Sequence, residues 1–169
     1  MSVNFALQDR FLERFFAGPQ REHFYLTGGT ALARFYFHHR ESLDLDLFTN
    51  DFEQDFARVN QAVLGILHTL KLQITSQVVT DTFIQYIVTE AAGTTLKVDL
   101  VKDVPVHFGP LVESNGIRLD SLENIGSNKI LAIFGRTDAK DFVDLYWILQ
   151  YTALKFDDLY LQAREKDLG

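Results

Sequence analysis

The run LDLDLF, residues 43–48, holds two carboxylates one residue apart. Alternate side chains of an extended chain point to the same side, so Asp44 and Asp46 share one face while Leu43, Leu45 and Leu47 share the other. With the leucines in a core, the two aspartates face outward together. Each then raises the pKa of the other unless water screens them or a cation neutralises them. Mg²⁺ suits such a pair, because it takes one or two protein carboxylates and leaves its other positions to water and phosphate oxygens. Taken alone, the alternation is equally that of the solvated face of an antiparallel strand.

A second feature precedes it. Gly28-Gly29-Thr30 follows the apolar HFYLT and opens a short apolar helix. Unpaired N–H groups and the positive end of the helix dipole can bind phosphate at such a corner, glycine allowing close approach and the Thr30 hydroxyl adding a donor. A strand-to-helix turn also uses glycine for its backbone angles alone. A third feature is TTLKVDLV, where Leu96, Val98 and Leu100 take one face and Thr95, Lys97 and Asp99 the other. Three strand-borne aspartates and a glycine corner are the parts needed for metal-assisted phosphoryl or nucleotidyl transfer.

These residues need a scaffold, and periodicity outlines it. Phe5, Phe11, Leu12, Phe15 and Phe16 recur at helical spacing up to Gly18-Pro19. HFYLT is a short strand, and a helix with Leu32, Phe35 and Tyr36 inward runs from Thr30 to about His39. The spacing of Phe52, Phe56, Val59, Val63, Ile66, Leu67 and Leu70 predicts a helix over 51–71. LQITSQVV, FIQYIVT and TTLKVDLV then form a meander, the last two joined by EAAG. Asn115-Gly116 marks a hairpin between GPLVES and IRLDS. Ser121, Asp138 and Asp157 are helix caps, for helices ending near Phe134 and Tyr151 and for a last one. The expected class is α+β, a mixed β-sheet flanked by helices with a helical C-terminal third. The domain expected is single, 1–169, with a mixed core over 1–120 and a helical part over 121–169.

Composition narrows the chemistry. The 169 residues carry a net charge of -7, which argues against a general polyanion binder. Absence of cysteine excludes disulfides, thiolate nucleophiles and Cys-ligated zinc, and fits a reducing compartment. No apolar run reaches the roughly 18 residues of a membrane span and no leader pattern opens the chain, so the reading is cytoplasmic with no membrane partner. His38-His39 reads as a helix-end surface pair, and His23, His68 and His107 have no partners by spacing. The helix aromatics read as core. Arg136 and Lys140 read as solvated helix-end charges, and Asp144 as a surface or ion-pair residue.

GGTALARFYFHHRESLDLDLF resembles the signature of the polymerase-β-like nucleotidyltransferase superfamily, and within it the AbiEii (MNT-like) toxin branch. That pattern is two glycines and a Ser or Thr, a helix, Arg-x-Ser, then Asp-x-Asp, matched by Gly28, Gly29, Thr30, Arg40, Ser42, Asp44 and Asp46. LKVDLV is similar to the strand with the third carboxylate, which falls on Asp99. SLENIGSNKILAIFGRTDAKDFVDLYWIL is similar to the C-terminal motif and carries it to Lys129, Ala132, Arg136, Lys140 and Asp141, with Asp144 next. Lys140 stands where arginine is common, and the chain is shorter than many members, lacking their extended C-terminal domain.

The resemblance implies transfer of a nucleoside monophosphate from a nucleoside triphosphate to an acceptor hydroxyl on tRNA, a protein or a small molecule. The implied metal is Mg²⁺ or Mn²⁺ on Asp44, Asp46 and Asp99. Gly28, Gly29, Thr30, Arg40, Ser42 and Lys129 would hold phosphate. Asp141 would orient Lys129 or Arg136 or stand near the acceptor, and as a first-turn aspartate it also suits the helix dipole. A toxin–antitoxin role, with an antitoxin protein as partner, belongs to the same implication. Two other readings stand beside it: a non-catalytic relative that binds nucleotide or a partner, and a metal-dependent phosphohydrolase, which would more often bring histidine ligands.

Overall fold

Helix α1 (Ala6–Ala17) presents Leu7, Phe11, Leu12, Phe15 and Phe16 along one stripe, as the period predicts, and Gly18 with Pro19 stops it. The computed structural model, which describes residues 5–167, continues with β1 (Tyr25–Thr27), α2 (Gly28–Thr30) and a π-helical stretch Ala31–Tyr36 that carries α2 on. Next come β2 (Leu45–Thr49), α3 (Phe56–Thr69), β3 (Gln73–Val79), β4 (Phe83–Thr89) and β5 (Thr95–Lys102). The hairpin β6 (Val112–Ser114) and β7 (Ile117–Leu119) leads into α4 (Leu122–Arg136), α5 (Ala139–Tyr151) and α6 (Phe156–Lys166).

All seven strands share one sheet in the order β3-β4-β5-β2-β1-β7-β6. The pairs β2–β5 and β1–β7 are parallel and the others antiparallel, so the sheet is mixed and the class is α+β. Leu45 and Leu47 of β2, Leu96, Val98 and Leu100 of β5, and Ile84, Tyr86 and Val88 of β4 join the α1 and α3 residues in one core. Each such Leu, Val or Phe contributes roughly 1.5–3 kcal/mol by burial, so this cluster sets which face of the sheet is inward. The opposite face of β2 and β5 is left to Asp46, Lys97 and Asp99. Ile125, Ile130, Leu145, Ile148, Leu159 and Ala163 bring the C-terminal helices into the same cluster.

Several local signals act as anticipated. Ser121 accepts from the Asn124 N–H and Asp138 from the Lys140 N–H, starting α4 and α5. Asn115 and Gly116 both have positive φ (50° and 79°), the hairpin turn that an Asn-Gly pair favours. Others differ. The helix expected over 51–71 begins only at Phe56, because Asp55 caps it through Ala57 and Arg58 while Asp51 holds a separate turn through the Glu53 N–H. Phe52 is left exposed. The helix after the glycines ends at Tyr36, not His39; Phe37 closes it and His38 takes a left-handed backbone (φ 53°). β2 starts at Leu45, placing Asp44 just ahead of the ladder. Lys155, not Asp157, stands at the start of α6, and Asp157 occupies its first turn. Among the described residues no helix is long and apolar enough to cross a membrane.

Candidate functional site

Strand register brings the aspartates together. Asp46 of β2 pairs with Thr27 of β1 on one side and with Asp99 of β5 on the other. Adjacent strands lie about 4.8 Å apart, so the Asp46 and Asp99 carboxylates are forced neighbours on the face away from the core. Lys97 lies between two of the acids, its Nζ 3.1 Å from Asp99 and 3.8 Å from Asp44. The other Asp99 oxygen accepts from Gln85 Nε2 at 2.9 Å. Burial, then the charges of Asp99 and Asp44, raise the Asp46 carboxyl to about 6 against the pull of Lys97 and Lys129. A carboxylate so raised lacks countercharge, and its hard oxygen donors are of the kind that Mg²⁺ prefers. Among the described residues no three His, Asp or Glu side chains converge as a ready-made metal cage; with Lys97 between them, Asp44 and Asp99 are spaced around an ammonium.

The glycine corner borders this floor. Gly28 has φ 69°, and a β-carbon there would stand 2.6 Å from Asp46 Oδ2; at Gly29 it would stand 2.2 Å from Arg40 Nη2. The corner therefore packs directly against the candidate side chains Asp46 and Arg40. Gly28→Ala is expected to cost on the order of 1–2 kcal/mol through its left-handed backbone alone, read by urea denaturation, and to push the Asp46 carboxyl aside. Thr30 is fully buried. Its hydroxyl donates to the Asp44 carbonyl and shares a 2.9 Å hydrogen bond with the Ser42 hydroxyl. Thr30 and Ser42 thus fasten the helix start to the approach of β2.

The opposite wall comes from α4 and α5. Lys129, almost wholly buried, places Nζ 2.9 Å from Asp141 and 2.7 Å from Asp144. Arg40 grips Asp144 with two bonds of 2.7 Å, and Arg136 grips Asp141 with bonds of 2.8 and 3.0 Å. His39 Nε2 lies 2.7 Å from Asp144. Burial alone would raise Asp144, but the Arg40 hydrogen bond, the Lys129 charge and contact, and the His39 hydrogen bond outweigh it and bring it down to about 2. Asp141 is likewise lowered: Arg136 and Lys129 overcome its burial. Three permanent cations on two carboxylates leave one positive charge in excess beside the cleft.

His39, read from sequence as a surface residue, and Asp144, read as a surface or ion-pair residue, have completely buried side chains here, and Asp144 is an ion-pair residue; the contact that joins them spans 105 residues of chain. No local spacing reports it; the only trace is the i, i+3 placement of Asp141 and Asp144, which puts both on one face of α5. Arg136 is half exposed yet paired. His23 and His107, partnerless by spacing, meet Asp51 at 3.0 Å and Asp120 at 2.8 Å. Asp120 also accepts from Thr27, Asn124 and the Ser121 N–H, pinning the end of β1 to the start of α4 behind the site.

Floor, corner and wall enclose one open cleft of about 680 Å³. It is lined by Gly28, Gly29, Arg40, Ser42, Asp44, Asp46, Lys97, Asp99, Lys129, Arg136 and Lys140, among others. That volume is within the range of small-molecule sites. Thr30 and Asp141 stand behind its surface.

The profile of the family described as nucleotidyl transferase AbiEii toxin, type IV TA system, matches residues 10–168. The chain belongs to this AbiEii family. It is therefore a nucleotidyltransferase by family, and the solved structures it resembles share the fold. JHP933 from Helicobacter pylori aligns with a TM-score of 0.66 at 23% identity, over 94% of this chain and 70% of that one. MenT4, a nucleotidyltransferase toxin of Mycobacterium tuberculosis, aligns at 0.65 and 15% identity, over 93% of this chain and 61% of that one. The Megavirus polyadenylate synthase aligns at 0.60 and 15%, over 93% of this chain and 34% of its own. No curated protein matches the AbiEii chain by sequence.

Proposed function

We propose that this AbiEii-family chain binds a nucleoside triphosphate with Mg²⁺ or Mn²⁺ in the cleft and transfers the nucleoside monophosphate to an acceptor hydroxyl. One observation carries the reading: an acidic floor of Asp44, Asp46 and Asp99 faces a wall with surplus positive charge across a cleft that begins at a glycine corner. The donors fit a hard divalent cation, and Asp44, Asp46 and Asp99 would hold it. When bound it would supply Lewis-acid polarisation of the phosphate and a lower pKa for the acceptor hydroxyl.

The chain's own residues do the rest. Gly28 and Gly29 leave room for the triphosphate to approach the backbone, and the surplus charge of Arg40, Lys129 and Arg136 favours its β and γ phosphates. Asp141 and Asp144 act through these cations, holding each in a fixed place before substrate arrives, so that little reorganisation is needed at the moment of reaction. Thr30 and Ser42 position the corner and need not touch phosphate. Asp99 is more buried than Asp44 and is oriented by Gln85, which suits a carboxylate that must aim at the acceptor side.

The acceptor in this reading is a hydroxyl of tRNA, a protein or a small molecule, and the type IV toxin–antitoxin description of the family supports a toxin controlled by an antitoxin protein. Incubation with α-labelled nucleoside triphosphates, Mg²⁺, total RNA and cell protein tests both levels. Label and pyrophosphate should appear with the wild type and not with Asp46→Ala, and the labelled fraction identifies the acceptor class. Equal labelling by both proteins would remove the assignment of Asp46; release of free phosphate alone would replace transfer by hydrolysis.

A further inference from the structure

The Lys97 ammonium occupies ground that the proposed cation needs. It sits between Asp44 and Asp99, 3.8 and 3.1 Å from their oxygens, on the same face of β5 as Asp99 and one position ahead of the first β2–β5 pair, Leu45 with Val98. With Gln85 on the second oxygen, both oxygens of Asp99 are already engaged by protein donors. Lys97 nonetheless keeps about a third of its side chain exposed, lines the cleft, and carries its charge on a flexible four-carbon stem. Arg40 and Lys129 are locked on buried carboxylates; Lys97 is held only by acids at the cleft floor.

We infer that Lys97 is a resident counter-ion: it partly neutralises the acidic floor in the nucleotide-free protein, yields Asp44 and Asp99 to the divalent cation, and turns its ammonium towards the triphosphate. Cation loading is thereby coupled to substrate arrival. The inference rests on the assignment of Asp44, Asp46 and Asp99 as cation ligands. Its logic is electrostatic. An ammonium and a dication within a few ångströms repel, so the dication binds weakly until another anion takes the ammonium, and the incoming triphosphate is that anion.

The test is a Mn²⁺ titration followed by electron paramagnetic resonance, on wild type, Lys97→Met, Lys97→Arg and Asp46→Asn, with folding checked by circular dichroism. Without nucleotide, Lys97→Met should bind Mn²⁺ at least about fivefold more tightly than wild type, the effect of removing one charge at roughly 4 Å. Lys97→Arg should stay near wild type. At saturating Mn²⁺, Lys97→Met should bind a non-hydrolysable triphosphate analogue several-fold more weakly, so the two ligands respond in opposite directions. Loss of packing alone would not produce opposite signs. Unchanged or weaker Mn²⁺ binding by Lys97→Met, or analogue binding unaffected by it, overturns the role of Lys97 while leaving the site intact. Full Mn²⁺ binding by Asp46→Asn overturns the cation assignment itself, and Lys97's role with it.

Discussion

Asp46→Asn is expected to abolish nucleotidyl transfer and at the same time make the metal-free protein harder to unfold. Asp46 is held by Gly28 on one side and the β5 strand on the other, with its carboxyl raised to about 6 by burial and by Asp99 and Asp44. A carboxyl of ordinary pKa near 3.8 that is raised in the folded state binds more protons folded than unfolded between about pH 4 and 6. Stability therefore falls as pH rises through that window, and the loss is complete above it. A carboxyl raised that far corresponds to at most about 3 kcal/mol at pH 7. Asparagine has nearly the same shape and no charge, so it should recover roughly 1–3 kcal/mol, seen as a higher urea midpoint at pH 7 and no difference at pH 4. Transfer should drop by about 10²-fold or more, the scale of losing one preorganised electrostatic group. A variant that keeps activity, or that gains no stability at pH 7, would show that Asp46 is not the strained acid of the floor. Such opposition of activity and stability is expected where like charges are gathered for function.

Asp144→Ala should act in the reverse sense and do more damage to the fold. The Asp144 carboxylate is fully buried and accepts from Arg40 and His39, with Lys129 at 2.7 Å. Removing it leaves the part-buried Arg40 and the buried His39 without their carboxylate and Lys129 with Asp141 alone, and breaking one side of a buried ion pair costs about 3–5 kcal/mol. For a chain of this length the melting temperature should fall by about 10 °C. Activity should fall with it, since Arg40 and Lys129 lose the anchor that sets their positions. Its pH signature is distinctive. With the folded carboxyl lowered to about 2, its contribution is complete above about pH 4 and disappears as pH falls towards 2. The wild type should therefore lose stability steeply between pH 4 and 2, and the alanine variant much less. Asp144→Asn, which keeps a polar group facing the same partners, should fall between the two. An unchanged melting temperature for Asp144→Ala would mean that the wall is not held by this carboxylate. Together Asp46 and Asp144 place their combined contribution at a maximum near pH 4.

The elements were legible wherever a local rule applies. Period-two leucines around Asp44 and Asp46, helical spacing in α1 and α3, the caps Ser121 and Asp138, and the Asn115-Gly116 turn all act within a few residues of chain. Misplaced boundaries have the same origin. Asp51 and Asp55 are both competent caps, and only the packing of Phe56 rather than Phe52 selects the second.

The candidate site was legible as a set of residue types but not as a network. The amino-acid sequence by itself determined that Asp44 and Asp46 share a face, that Asp99 sits on a polar strand face, and that two glycines open a helix, because side-chain direction follows from the backbone period. Tertiary structure alone decided that β5 runs parallel beside β2, setting Asp99 against Asp46 and Lys97 between Asp44 and Asp99. It alone decided that Asp144 closes on Arg40 and His39 from 104 and 105 residues away. Pairing of that range is selected by the burial of the whole apolar core, to which every strand and helix contributes, and no single segment of the chain encodes it.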